Sequence, residues 1–312
     1  MVPIRVAVLG PAGTYTEKVA QEKWKNPALH YCENIPKVFK YMADGEAEYG
    51  IVPIEDSAEG DVNITLDLLR DYDFYIVGES FTEVTHTLLG KKDEKTLKKI
   101  GSHPQALAHC RKYLEISFPD IEQELEPSTA FAAKKASMDV TYGAIADERN
   151  AGIYGLTVLA REIHDWGSNL TRFITIAPKP ITPTGRAKTS IIVYPRDDKP
   201  GQLFSVLKEF SEREINLTKI VSRPSRGRIE ENVFYIDFEG NQTDSDIKSV
   251  LENIENLDTI SAIRIFGSYP YSPPDSKPKE VVETVKEPES ATLFARPFEF
   301  WDNPEDKIYE SL

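Results

Sequence analysis

The chain has 312 residues, 51 of them acidic and 37 basic, so its formal net charge at pH 7 is −14. Such a charge repels nucleic acid and anionic membranes. A membrane-spanning helix needs about eighteen consecutive apolar residues, and no apolar run in the sequence is that long. Two cysteines, Cys32 and Cys110, argue against a disulfide framework and for a reducing cytoplasm. The length allows two domains, since one domain typically takes ~100–200 residues.

Short apolar runs alternate with helical patterns over residues 1–180. Strands are predicted at residues 4–9, 49–54, 74–79, 84–89, 142–146 and 172–176. A helix is expected from about Thr14, after the turn at residues 10–13, and an Ala-rich helix is expected after the capping residue Ser128. This alternation is typical of α/β sheets covered on both faces, so we predict an α/β domain over residues 1–180.

The segment SHPQALAHC, residues 102–110, marks another helix start, because proline favours the first helical position. Apolar residues recur at helical spacing as far as Leu114, which predicts one helix with Ser102 at its cap. The separation of His103 and His109 does not bring them onto one helical face, which argues against a metal pair. His86, in a predicted strand, is interpreted as an ordinary interior or surface histidine.

The pattern changes after residues 178–187, which hold three prolines and a glycine and are interpreted as a linker. Strands and helices then follow in the order βαββαβ, which predicts one ferredoxin-like unit over residues 188–270. Residues 271–312 form a Pro-rich acidic tail that also contains an aromatic cluster: Phe294, Phe298, Phe300, Trp301 and Tyr309. The tail is interpreted either as a poorly ordered extension or as a segment that docks on the body or on a neighbouring subunit.

Several polar residues stand where ligands gather in α/β sheets. The turn GPAGTYT could present N–H groups and Thr14 to an anion, although it lacks dinucleotide and P-loop spacings, and a turn with capping hydroxyls is the structural alternative. Glu55, Asp56 and Ser57 follow a predicted strand as a loop. Strand alternation places Thr171 and Arg172 on opposite faces, so Arg172 is interpreted as a structural ion-pair or capping residue and not as a substrate ligand. Hydrolase and zinc motifs are absent, so no metal or cofactor is expected.

As an ordered set, these motifs resemble the monofunctional prephenate dehydratases with a C-terminal ACT regulatory domain. The resemblance covers about residues 4–270 and rests on GPAGTYTEKVA, VPIEDSAEG, SHPQALAHC, STAFAA and NLTRF, followed by KTSIIVY, GQLFSVL, INLTKIVSRP and YIDFEG. It implies a two-lobed catalytic domain resembling periplasmic binding proteins, followed by the ferredoxin-like ACT domain. It also implies a cytoplasmic lyase of phenylalanine biosynthesis that converts prephenate to phenylpyruvate, carbon dioxide and water, without a cofactor.

The resemblance also implies roles for individual residues. Thr171 would stand closest to the leaving hydroxyl as a positioned hydrogen-bond donor. The other substrate-binding residues would be Thr14, Glu55, Asp56, Ser57, Ser102, Gln105 and His109. Phenylalanine, the implied feedback effector, would bind between paired ACT domains of a homodimer or homotetramer. The effector-binding residues would be Gly201, Leu203, Asn216, Ser222, Arg223 and Pro224.

Two positions depart from the family pattern inside the site. Asp56 stands where the family usually has Asn, and His109 stands where it usually has Gln. An anion near a dianionic substrate needs compensation, and we hypothesise that Asp56 and His109 act as a coupled pair. The alternatives are a prephenate decarboxylase that keeps the hydroxyl, an arogenate-specific dehydratase, and a catalytically inactive amino-acid sensor.

Overall fold

The computed structural model describes residues 3–165, 169–196, 199–225 and 232–273. The first lobe is built on a mixed sheet with the strand order β2-β1-β3-β11-β5, and β4 pairs with β3. Its elements are β1 (Arg5–Leu9), α1 (Tyr15–Lys23), β2 (Ala28–Cys32), α2 (Ile35–Ala43), β3 (Tyr49–Asp56), β4 (Gly60–Asp61), α3 (Asn63–Asp71) and β5 (Tyr75–Val84). A helix on each side of β1 buries the sheet, as the near-continuous apolar strands require.

The second lobe contains a five-stranded sheet with the order β10-β6-β9-β7-β8. Its elements are β6 (Thr87–Gly90), β7 (Lys99–Ser102), α4 (Pro104–His109), α5 (Arg111–Ser117), β8 (Glu122–Leu125), α6 (Thr129–Ala136), β9 (Tyr142–Ala146), α7 (Arg149–Tyr154) and β10 (Thr157–Ala160). The chain then returns to the first lobe as β11 (Asn169–Ala177), antiparallel to both β3 and β5. Two crossovers therefore join the lobes, and the Ile163 N–H of one donates to the His86 carbonyl of the other at 3.1 Å.

The predicted single helix after residue 102 is wrong in two details. Ser102 ends β7 and is not the cap; the N-cap of α4 is His103, whose side chain accepts from the Gln105 N–H. The helix also stops at Cys110, whose φ of −110° and ψ of 16° are not helical, and restarts as α5. Proline at the first position of α4 is confirmed.

The C-terminal region has the predicted βαββαβ order. Its elements are β12 (Ala187–Pro195), α8 (Gln202–Ser211), β13 (Leu217–Pro224), β14 (Asn232–Glu239), α9 (Ser245–Glu255) and β15 (Ile260–Pro270). The sheet order β13-β14-β12-β15 is that of a ferredoxin-like unit, which confirms the predicted fold. The tail's aromatic cluster lies outside the described residues.

The C-terminal sheet is covered on both faces. One face packs on α8 and α9 through a buried cluster that includes Ile191, Val206 and Phe238. The other face packs on the first lobe, where Tyr235 and Tyr269 join the core and the Tyr235 hydroxyl donates to the Leu66 carbonyl at 2.9 Å. Among the described residues, no helix is long and apolar enough to cross a membrane.

Candidate functional site

Thr171 and Asp56 face each other where β11 pairs with β3. The Thr171 hydroxyl donates to Asp56 Oδ2 at 2.6 Å, and both side chains are buried. Asp56 Oδ1 accepts from the N–H groups of Ala58 and Glu59 at 3.1 and 3.3 Å. Asp56 is therefore the last residue of β3, not part of a loop as predicted, and its carboxylate is fixed by the backbone that follows it.

Glu55 and Arg172 lie on the opposite face of the same two strands. Glu55 contacts Lys219 Nζ at 3.0 Å and the Arg172 guanidinium at 3.5 Å. Arg172 is 4% exposed and forms ion pairs with Glu79 and Asp237, so its interpretation as a structural ion-pair residue is confirmed. Because neighbouring residues of a strand point to opposite faces, Glu55 is separated from Thr171 and faces the C-terminal sheet.

Ser57 fastens the loop after β3 to the start of β11. Its hydroxyl donates to Asn169 Oδ1 at 2.9 Å and accepts from the Leu170 N–H at 2.9 Å. The Ser57 N–H in turn donates to the Leu170 carbonyl at 2.9 Å. This exposed serine and Asn169 thus hold the segment that leads into Thr171.

Ser102, His103 and Gln105 lie in the second lobe, where β7 leads into α4. Ser102 is fully buried, and its hydroxyl donates to the Ile145 carbonyl at 2.6 Å. Burial lowers the pKa of His103, while the charge of Glu59 acts in the opposite direction. Since Glu59 belongs to the loop after Asp56, this loop and the start of α4 face each other between the lobes.

The sequence interpretation of His86 missed its setting. His86 lies on the crossover between β5 and β6, is 2% exposed, and its Nε2 lies 3.5 Å from His109 Nδ1. Burial, helped by the neighbouring His109 and His164, lowers the pKa of His86 to about 4, against the opposing charge of Asp56. The Nδ1 atoms of His86 and His164 are buried without a hydrogen-bond partner among the described residues.

Acidification from pH 7 to pH 5 is expected to destabilise the fold by about 2 kcal/mol through His86 alone. Its pKa is lower in the folded than in the unfolded chain, about 4 against 6.5, so the unfolded chain binds the extra proton. The stability is full above pH ~6.5 and is lost as the pH falls toward 4. Urea unfolding of the wild type and His86→Gln at both pH values measures it; equal losses in the two proteins would contradict the assignment.

The glycine turn before α1 contacts the second lobe. Thr14 caps α1, accepting from the Glu17 N–H and donating to the Leu9 carbonyl at 2.7 Å, so the predicted capping role is confirmed. The Tyr15 hydroxyl donates to the Thr85 carbonyl at 3.0 Å, next to His86. Arg149 starts α7, and its Nη2 is buried without a partner among the described residues. Neither Tyr15 nor Arg149 was predicted from the sequence. Tyr15 lies within the motif GPAGTYT, but no local pattern specifies the contacts of either side chain.

The predicted effector residues fall into two groups on the C-terminal sheet. Ser222 and Val193 both pair with Phe234, so the end of β13 lies at the end of the sheet where β12 leads into α8. Gly201, at φ +89°, begins α8 there, followed by Leu203. Pro224 ends β13 on the same side.

Asn216 lies at the opposite end of this sheet. Its side chain donates to Glu239 Oε1 at 2.9 Å, and six residues of extended strand separate it from Ser222 by roughly 20 Å. Arg223 turns to the first lobe and contacts Asp67 at 3.1 Å. Within one chain, therefore, Asn216 and Arg223 do not share a pocket with Ser222.

Two sequence families match the chain. The prephenate dehydratase family matches residues 6–181, and the ACT domain family matches residues 189–256. A bifunctional chorismate mutase/prephenate dehydratase of Aquifex aeolicus is 40% identical over 86% of this chain and 74% of its own. A prephenate dehydratase of Methanocaldococcus jannaschii is 38% identical over 83% of this chain and 96% of its own.

A solved structure agrees with these matches. The prephenate dehydratase of Arthrobacter aurescens, in complex with L-Phe, is 31% identical to this chain. It superimposes with a TM-score of 0.77 and covers 86% of this chain and 90% of the other. The similarity therefore extends over both the two-lobed region and the C-terminal sheet.

Proposed function

The chain belongs to the prephenate dehydratase family of carbon–oxygen lyases and carries an ACT domain, and we propose that it converts prephenate to phenylpyruvate under control by phenylalanine. The observation that carries the catalytic part is the buried pair of Thr171 and Asp56 near the start of β11, where the chain returns from the second lobe to the first. This bond fixes the position of the Thr171 oxygen, so only the hydroxyl hydrogen has to be redirected toward a leaving group.

The reaction asks little acid–base strength of the protein. As the ring carboxylate leaves as carbon dioxide, its bonding electrons complete the aromatic ring and the carbon–hydroxyl bond breaks. The hydroxyl takes one proton and leaves as water. The enzyme must hold the two carboxylates and hydrogen-bond the departing oxygen, and Thr171 serves the second purpose.

The Thr171–Asp56 hydrogen bond imposes a condition on this role. A hydroxyl has one hydrogen, so Thr171 cannot donate to the Asp56 carboxylate and to the substrate at the same time. Binding of the substrate therefore has to turn the Thr171 hydrogen from Asp56 Oδ2 to the leaving hydroxyl. We infer that Asp56 holds the Thr171 oxygen in place before this turn, and that the proton that completes the departing water comes from solvent.

The carboxylates of the substrate need cationic or neutral donors in a chain with strong net negative charge. Arg149 supports this role because one of its guanidinium nitrogens is buried without a partner in the described part of the chain. Gln105 and Asn169 add amide groups, whereas the Ser57 hydrogen is already donated to Asn169 Oδ1. Ser102 has a structural role in the site, because its hydroxyl hydrogen is already donated to the Ile145 carbonyl.

The proposed coupling of Asp56 and His109 runs through His86. The charge of Asp56 acts to raise the pKa of His86, and His109 Nδ1 lies 3.5 Å from His86 Nε2. We expect Asp56→Asn and His109→Gln to be non-additive by about 0.5 kcal/mol or more in kcat/KM on prephenate. Steady-state kinetics of both single variants and the double variant measure the coupling, and strictly additive effects would refute it.

The regulatory part rests on the ACT domain and on the L-Phe found in the Arthrobacter relative. We propose that phenylalanine binds where two ACT domains pair, because Asn216 and Ser222 lie too far apart in one chain to share a small ligand. Antiparallel pairing of two chains would bring the Asn216 end of one sheet to the Ser222 end of the other. Phe204, 70% exposed on α8, and Ile220, 44% exposed on β13, supply apolar surface for it.

Phe204→Glu is expected to convert the assembly to monomers and to abolish phenylalanine binding, because it places a charge in this apolar surface. Light scattering after gel filtration measures the assembly, and titration calorimetry measures binding. Ile116→Glu, at a side chain 82% exposed on the second lobe, is the matched control and should change neither. A monomeric variant that still binds phenylalanine would contradict the shared site.

The test of the proposed function is incubation with prephenate, and separately with arogenate, with the products resolved. Phenylpyruvate from prephenate is the expected product. A non-aromatic decarboxylated product would establish the decarboxylase alternative. Faster conversion of arogenate would reassign the substrate, and binding of phenylalanine without turnover of either compound would make the chain a sensor.

A further inference from the structure

Arg172, the residue after Thr171, links β11 to the C-terminal sheet β13-β14-β12-β15, which we call the ACT sheet. Arg172 Nη1 contacts Asp237 Oδ2 at 2.6 Å, Nε donates to Glu79 Oε2 at 2.9 Å, and Nη2 donates to the Tyr269 hydroxyl at 2.9 Å. Every nitrogen of the guanidinium therefore has a partner. Counting Glu55, 3.5 Å from Nη1, two of the four partners belong to the ACT domain. One peptide unit joins Thr171 and Arg172. The Thr171 side chain contacts Asp56 in the first lobe, and the Arg172 side chain contacts Asp237 in the ACT domain.

The contacts of Arg172 belong to a larger interdomain network of buried side chains. Lys188 of β12 contacts Glu79 at 2.9 Å, and Ser190 hydrogen-bonds both Asp237, at 2.5 Å, and Tyr269, at 2.7 Å. Arg172 and Lys188 face Glu79 and Asp237, and Glu55, which also contacts Arg172, is paired with Lys219. Burial opposes ionisation of Asp237, yet Arg172, Ser190 and Lys188 hold its pKa below the ordinary value. Such a network, fully satisfied, fixes the geometry of its members.

The pairing of β11 with β3 is irregular at this point, because β3 carries one extra residue, Ile54, whereas the pairing of β11 with β5 stays regular from Asn169 to Thr175. In its pairing with β3, Thr171 and Arg172 oppose Asp56 and Glu55, but Phe173 opposes Pro53, so the register shifts between Arg172 and Phe173. A bulge re-aims the neighbouring side chains and interrupts the regular ladder. Only the ladder with β5 continues past this dipeptide without a shift, so that ladder and the contacts of the Arg172 guanidinium hold its position together.

We propose that the ACT sheet sets the position of the Thr171 hydroxyl through Arg172, with Asp237 and Tyr269 as positioning residues for the reaction. This inference rests on the proposed dehydratase function. A displacement of β14 and β15 relative to the first lobe moves the Arg172 guanidinium, and the shared peptide carries that movement to Thr171. Other interdomain contacts, such as that of Tyr235 with Leu66, hold the domains together without touching β11.

The experiment compares two buried tyrosines of the ACT sheet. Tyr269→Phe removes the acceptor of Arg172 Nη2, whereas Tyr235→Phe removes a hydrogen bond of similar length across the same interface, away from Thr171. Asp237→Asn is the second test variant. We expect Tyr269→Phe and Asp237→Asn to lower kcat about 10-fold with KM within about 2-fold, since a small misplacement of a reacting group costs rate rather than binding. Tyr235→Phe should keep the wild-type kcat.

Hydrogen exchange of the backbone amides of residues 170–173 gives a readout that does not depend on turnover. These amides should exchange faster in Tyr269→Phe than in Tyr235→Phe at matched thermal midpoints. Wild-type kcat in both test variants, or an equal loss in all three variants, would overturn the proposal. If the wild type turns over neither prephenate nor arogenate, the proposed function fails, and the exchange comparison still tests the mechanical link.

Discussion

Thr171→Val is expected to lower kcat on prephenate by about 10²- to 10³-fold, the usual effect of removing one preorganised donor from an active site. Valine keeps the shape of threonine but has no hydrogen to offer the departing hydroxyl. It also removes the hydrogen bond to Asp56, which is 8% exposed and would then depend on the N–H groups of Ala58 and Glu59. Steady-state kinetics with prephenate measure the loss, and KM should change much less than kcat.

Two variants separate chemistry from packing in this experiment. Thr171→Ser retains a hydroxyl and should recover most of the lost rate. Thr175→Val removes another buried hydroxyl of β11, which accepts from Lys23 Nζ at 2.9 Å, and it should leave kcat unchanged. A Thr171→Val enzyme as active as the wild type would show that the leaving hydroxyl is assisted by another group.

Arg172→Met is expected to destabilise the protein by about 3–5 kcal/mol, because it leaves buried carboxylates without their counter-charge. Asp237 would keep only Ser190 as a hydrogen-bonding partner among the contacts described, and Glu79 would keep Lys188. A loss of this size is a large fraction of the total stability of most domains. Urea unfolding monitored by far-UV circular dichroism measures it.

A matched arginine provides the control for this second prediction. Arg161 forms a two-point ion pair with Glu148, at 2.9 and 2.8 Å, but both side chains are largely exposed. Arg161→Met should therefore barely move the urea midpoint, since solvent screens exposed pairs. The double variant Arg172→Met with Asp237→Asn should lose less than Arg172→Met alone, because the neutral amide needs no counter-charge. Equal midpoints for the two arginine variants would contradict the buried-network argument.

The sequence by itself determined the fold class and, for residues 188–270, the order of elements. Alternating apolar runs and helix caps such as Ser128 act locally, and the βαββαβ order followed from the chain without knowledge of its packing. The edge strands β2 and β8 were missed, since their residues are largely solvent-exposed and carry little apolar signal. The opposite directions of Thr171 and Arg172 were predictable from strand alternation alone.

Only the tertiary structure decided which distant residues meet. The bond from Thr171 to Asp56 and the contact of His86 with His109 join segments far apart in sequence, and no local pattern encodes their distance or burial. The pKa of His86 is strongly lowered because its side chain is buried. Neither its residue type nor its predicted strand position indicated this burial. Arg172 was identified as an ion-pair residue from its strand position. Its partners on the ACT sheet depend on how two separately specified folds pack, because long-range charge pairing is set by three-dimensional proximity.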